Sequence, residues 1–90
     1  MKPESLTNCR RKIDELDGEL VRLMLERLDA AAEIARIKQE NGLPIHDPAR
    51  EAEKLDAVAR LAGEERAPYL KTLYEAVFAV TKAYEADLQK

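Results

Sequence analysis

The sequence predicts an all-α domain of one long helix followed by two shorter ones, and three observations carry that prediction. First, steps of alternating four and three residues from Cys9 land on Ile13, Leu16, Leu20, Leu23, Arg27, Ala30, Ile34 and Ile37. This heptad seam, sustained over about four repeats, is the pattern of a long helix packed along its length. Second, helix stop and start signals punctuate the rest of the chain at Asn41-Gly42, Asp47-Pro48, Gly63 and Pro68. Third, no stretch alternates apolar and polar residues as a strand does, and no internal repeat or low-complexity segment interrupts the helical reading.

The first helix is expected from about Ser5 to Glu40, with Pro3 and Ser5 as start signals. A second row, Leu20, Met24, Arg27, Ala31, Ile34 and Lys38, widens its apolar band. The opposite side, Glu15, Glu19, Arg22, Glu26, Asp29, Glu33, Arg36 and Glu40, is a charged stripe facing solvent. Gly18 costs up to ~1 kcal/mol relative to alanine in mid-helix, which a helix this long tolerates. Asn41-Gly42 closes the last turn, because glycine readily takes the left-handed conformation. Leu43-Pro44-Ile45-His46 is a connecting loop. Asp47 then caps a second helix that has Pro48 at its first position; this helix carries Ala49, Ala52, Leu55, Ala59 and Ala62 and stops at Gly63. A link from Glu64 to Ala67 leads to Pro68 and a third helix reaching about Leu88, with a seam of Leu70, Tyr74, Val77, Thr81, Tyr84 and Leu88.

Ninety residues form a single domain, 1–90, and a small one. A chain of this size given largely to one helix has difficulty burying an adequate core alone, and oligomerisation is the usual remedy. Apolar residues at 46% and charged residues at 37% describe a helical globular protein well away from the disordered class. A net charge of −3 with dispersed basic residues argues against a nucleic-acid partner. One cysteine and one histidine allow neither a disulfide framework nor a zinc constellation. Cys9, lying in the seam, reads as a small buried hydrophobe. The stretch Met1-Lys2-Pro3-Glu4-Ser5 lacks a leader signature, and no apolar run approaches membrane-spanning length, so a cytoplasmic protein without a membrane partner is expected.

The chemistry must come from polar residues displaced onto apolar faces. No serine or cysteine has a histidine base at useful spacing, and no glycine-rich phosphate loop exists. Arg27 interrupts the seam and Lys38 closes it. Eleven residues at about 100° each return to nearly the same direction, so these cations share a face roughly 16 Å apart along the axis. Buried unpaired charge is expensive, and an anion between them would offset it. Singly, each candidate has an ordinary explanation. Arg27 can pair with Glu51 or Asp47, and Lys38 sits at a helix C-terminus, where cations are favoured. Arg50 and Glu51 can form a surface pair. Thr81 can bond the preceding turn, and Glu85 can be solvated near the chain end.

Together they resemble a known family. Arg10-x-x-Ile13-x-x-Leu16-Asp17, Glu26-Arg27, Lys38 and Pro44-Ile45-His46-Asp47-Pro48-Ala49-Arg50-Glu51 are similar, in spacing and in residue type, to the all-helical chorismate mutases. The resemblance runs from about Leu6 to Glu85, with the segment around Asp47, Arg50 and Glu51 its most specific part and the third helix, aligned on Thr81 and Glu85, its weakest.

The resemblance implies an intertwined homodimer of three-helix chains that converts chorismate to prephenate at two identical sites and requires no cofactor. By the same resemblance, Arg27 and the partner chain's Arg10 bind the two substrate carboxylates. Lys38 contacts a carboxylate and the ether oxygen, while Glu51 and the Asp47 backbone hold the ring hydroxyl. Arg50 adds positive field, Thr81 stands where the family usually has serine, and Glu85 where it usually has glutamine. His46 is assigned no role.

Helix geometry is consistent with a shared site. Arg10 and Arg27 lie about 25 Å apart along a straight helix and about 100° apart in direction, so if both bind one small dianion, one must come from another chain. Two rivals remain at this level. Isochorismate-pyruvate lyase is similar in fold and substrate, but its relatives lack the acidic pair that Asp47 and Glu51 provide. A non-catalytic helical dimerisation module would need only the seam, and would gain nothing beyond register from a central arginine such as Arg27.

Overall fold

The computed structural model describes residues 3–90; Met1 and Lys2, part of the stretch read for a leader, lie outside the described residues. Three helices follow in order: α1 (Pro3–Glu40), α2 (Pro48–Ala62) and α3 (Ala67–Leu88). No strand occurs among the described residues. The expected ends are nearly reproduced. α1 begins at Pro3 rather than Ser5, and α3 at Ala67 rather than Pro68. A proline is tolerated in the first turn because the N–H it lacks has no intrahelical partner there.

The stop after α1 is a hydrogen-bonded cap. Leu43 N donates to Lys38 O at 2.8 Å and Gly42 N to Gln39 O at 3.4 Å, with Gly42 at φ 65°. This pair of bonds satisfies carbonyls left open at the helix end, and the left-handed position explains the glycine. α2 starts as its sequence dictates. Asp47 Oδ1 accepts from Arg50 N at 3.1 Å, and Pro48 follows as the first helical residue. Its stop is Gly63 at φ 84°, whose N–H returns to Ala59 O at 3.2 Å.

The chain divides into two compact units, Met1–Ala30 and Ala31–Lys90. In the second, α2 and α3 pack against each other around Val58, Val77 and Phe78, with Ala31 and Ala35 also buried. The Tyr74 ring meets Phe78 edge-on at 6.0 Å, a favoured aromatic geometry. Gln89 Nε2 donates to the Ala35 carbonyl at 2.9 Å and joins the end of α3 to α1.

The buried stripe of α2 differs from the expected one. Val58 is its centre, with Leu55, Ala59 and Ala62 beside it, whereas Ala49 and Ala52 are exposed. Valine and leucine have more apolar area to bury than alanine, so the packed face follows them. In α3 the expected seam is buried or half-buried through Tyr84, Leu88 is exposed, and Phe78 and Glu85 join the buried set.

The unit Met1–Ala30 carries an uncovered apolar ridge. Leu6, Ile13, Leu16, Leu20, Val21, Leu23 and Leu25 are all exposed, at 40–59%. Cys9 is exposed with them, so one chain alone does not make it the buried hydrophobe expected from the seam. The charged stripe of α1 does face solvent and is laced by an Arg22–Glu26 pair at 3.4 Å and by Arg36 paired with both Glu33 and Glu40.

Candidate functional site

The polar residues of the second unit converge from three elements. Lys38, in the last turn of α1, is half-buried and donates from Nζ to the Ile45 carbonyl at 2.8 Å. That bond ties the helix end to the loop before α2. One turn into α2, Glu51 is reached from two sides. Lys82 Nζ of α3 lies 3.0 Å from its Oε2, and His46 Nε2 of the loop lies 3.8 Å from its Oε1. Asp47 is spent as the α2 cap, and its carbonyl accepts from Glu51 N at 3.1 Å.

On α3, Thr81 Oγ1 donates to the Val77 carbonyl at 2.7 Å, the ordinary back-bond of a helical threonine. Glu85, one turn further, is 5% exposed and is the buried ionisable side chain among the described residues. It is therefore not the solvated end-of-chain carboxylate that its position allows. The surface pairing of Arg50 with Glu51 is also corrected, because Arg50 pairs with Glu53 at 2.6 Å while Glu51 turns to Lys82. The pairing follows helix geometry: residues three apart are neighbours, and adjacent ones diverge.

Arg10 and Arg27 belong to the other unit, Met1–Ala30. Arg10 is exposed and Arg27 is half-buried. Electrostatic perturbation is also present outside the cluster. Arg36 holds the exposed Glu33 carboxyl below the usual carboxylate range, and Glu33 and Glu40 raise the Arg36 guanidinium in turn. Among the described residues no group of three or more histidine, cysteine or acidic side chains is placed to hold a metal ion. No described helix is long and apolar enough to cross a membrane.

Lys82 is the residue that the sequence reading missed. Its signal was present: it lies four residues after Phe78 and three before Glu85, on the row those two residues bury. A cation on an apolar row is the same anomaly that marks Arg27 and Lys38.

Comparison with known proteins places the chain in a family. Residues 9–86 match the family described as chorismate mutase type II. The chain is 41% identical over 61 residues to the chorismate mutase of Methanocaldococcus jannaschii, covering 68% of this chain and 62% of that protein. It is 43% identical over 61 residues to the bifunctional chorismate mutase/prephenate dehydratase of Aquifex aeolicus, covering 68% of this chain and 17% of that protein. It is 32% identical over 74 residues to the 4-amino-4-deoxychorismate mutase of Streptomyces venezuelae, covering 80% of this chain and 72% of that protein. The first two alignments thus span less than two thirds of the relatives' own length. No solved structure matches the chain. With the match running through α1, the loop, α2 and most of α3, the chain belongs to the chorismate mutase type II family.

Proposed function

We propose that this chain, as one domain, is a chorismate mutase that rearranges chorismate to prephenate and works as a homodimer. The observation that carries the reading is the family match over residues 9–86, joined to the convergence of Lys38, the 44–47 loop, Glu51 and α3 on one cluster. The reaction is a [3,3] shift within one molecule. The ether C–O bond breaks as a new C–C bond forms, and no group or electron pair leaves the substrate. Catalysis reduces to holding the enolpyruvyl arm over the ring and stabilising negative charge that develops on the ether oxygen.

Each residue then has a role in the proposal. Lys38 keeps two ammonium donors beyond the one given to Ile45, and uses them on a substrate carboxylate and the ether oxygen. Glu51 and the Asp47 backbone take the ring hydroxyl. Arg27 holds one carboxylate and the partner chain's Arg10 the other. Arg50 contributes field from the site's edge, and Thr81 and Glu85 close the α3 side. Glu85, protonated, would donate to the ether oxygen; ionised, it is acceptor-only and would oppose the developing charge.

The dimer is supported by the exposed ridge from Leu6 to Leu25. An exposed run of large apolar side chains marks an interaction site in a folded protein, and each half-exposed leucine or isoleucine forgoes about 1 kcal/mol of burial. The same ridge on a second copy is a self-complementary cover for it.

A second substrate is supported by a specific observation, the similarity to 4-amino-4-deoxychorismate mutase over most of that protein. The deciding experiment is a spectrophotometric assay of chorismate loss with the product identified. Prephenate formed at an enzymatic rate supports the proposal, and no conversion of chorismate overturns it.

A further inference from the structure

The Lys82–Glu51 pair bears on which ring substituent the site accepts. We propose that Lys82 is a positioning and specificity residue: by pairing with Glu51 it makes the site favour a neutral ring hydroxyl over a cationic ring amine. This rests on the reading above, in which Glu51 receives the ring substituent.

The two side chains come from different helices, and Lys82 Nζ lies 3.0 Å from Glu51 Oε2 with the side chains 34% and 25% exposed. They are thus partly withdrawn from solvent. A glutamate alone on the first turn of α2 would sample several rotamers and attract any nearby cation. Lys82 commits one carboxylate oxygen and cancels the charge of the other partner. His46, 3.8 Å from Oε1, flanks the second oxygen and opposes no neutral donor. An ionised carboxylate has about four lone-pair positions, so a hydroxyl can still donate to it beside the ammonium.

A ring amine meets a different field. An aliphatic amine is a cation at neutral pH, as lysine is with its reference pKa of ~10.4. Placed against Glu51 it would gain the carboxylate but lie close to the Lys82 ammonium, and like charges at such range repel. Partial exposure screens this interaction, so its effect is set at about tenfold rather than the unscreened limit. The hydroxyl incurs no such repulsion.

The test uses the full chain with chorismate and 4-amino-4-deoxychorismate assayed separately on wild type, Lys82→Met and Lys82→Arg, and on Glu51→Gln with and without Lys82→Met. The ratio of kcat/KM for the amino substrate to that for chorismate is expected to rise about tenfold in Lys82→Met and to stay within about twofold of wild type in Lys82→Arg. For chorismate, the loss should fall on KM with kcat nearly unchanged, because the hydroxyl is held equally in the ground and transition states. In the Glu51→Gln background, Lys82→Met should leave the ratio unmoved. A ratio unchanged by Lys82→Met, or changed equally with and without Glu51, overturns the proposal. If Lys82→Met fails to fold by circular dichroism, Lys82→Gln makes the same comparison. Wild type that converts chorismate with an unmoved ratio refutes the Lys82 role alone, whereas wild type inert toward chorismate refutes the functional reading beneath it.

Discussion

Lys38 Nζ lies 2.8 Å from the backbone carbonyl of Ile45, so the last turn of α1 and the loop entering α2 are held by one charge-assisted bond. The ammonium thereby serves structure and, in the proposed function, the site as well. Lys38→Met should lower turnover by about a hundredfold or more, the usual cost of removing a donor aimed at developing charge. It should also cost about 1–2 kcal/mol of stability, from the bond lost at the loop. Steady-state kinetics beside thermal melts separate the two effects, and turnover within tenfold of wild type would remove Lys38 from the site.

The exposed ridge on α1 predicts that the active species is a dimer. Sedimentation at micromolar concentration should find no folded, fully active monomer. Arg10→Ala and Arg27→Ala chains should each be inactive, yet regain activity when unfolded and refolded together. In the mixed dimer one site loses both arginines and the other keeps both. Random pairing makes half the dimers mixed, so about a quarter of wild-type activity should return. Mixtures that remain inactive would show that the site is not shared between chains.

Arg27 tests charge against packing. Methionine there keeps much of the side chain's bulk and removes the cation. Because charges in apolar surroundings are often no more stabilising than hydrophobic replacements, thermal stability should hold or rise while turnover collapses. The opposite result, activity retained with a large fall in melting temperature, would make Arg27 a structural residue.

Glu85, at 5% exposure, sets a pH dependence with a definite sign. The protonated form is the one able to donate to the ether oxygen, so turnover should fall as pH rises through the Glu85 titration. Glu85→Gln should flatten the alkaline limb of a pH–rate profile taken from about pH 4 to 9, with folding checked at each point. Superimposable profiles for the two proteins would place Glu85 away from the ether oxygen.

The amino-acid sequence by itself determined where α1 and α2 end and where α2 begins, and why, and it came within two residues of the other starts. Gly42 at φ 65°, the Asp47 cap on Arg50 N and the Gly63 stop are bonds between residues three to five apart, and residue type decides them locally. It also placed Lys38, Asp47 and Glu51 around one loop, because they are close along the chain. Tertiary structure alone decided which faces meet. A helix turns about 100° per residue, so a one-residue difference in the rotation of α3 against α2 decides whether Thr81 or Lys82 faces Glu51, and no local signal records that angle. The packing of α2 on α3 selected Val58 over Ala49 and Ala52 as the centre of the buried stripe and turned Glu51 from Arg50 to Lys82, while tertiary packing also buried Glu85.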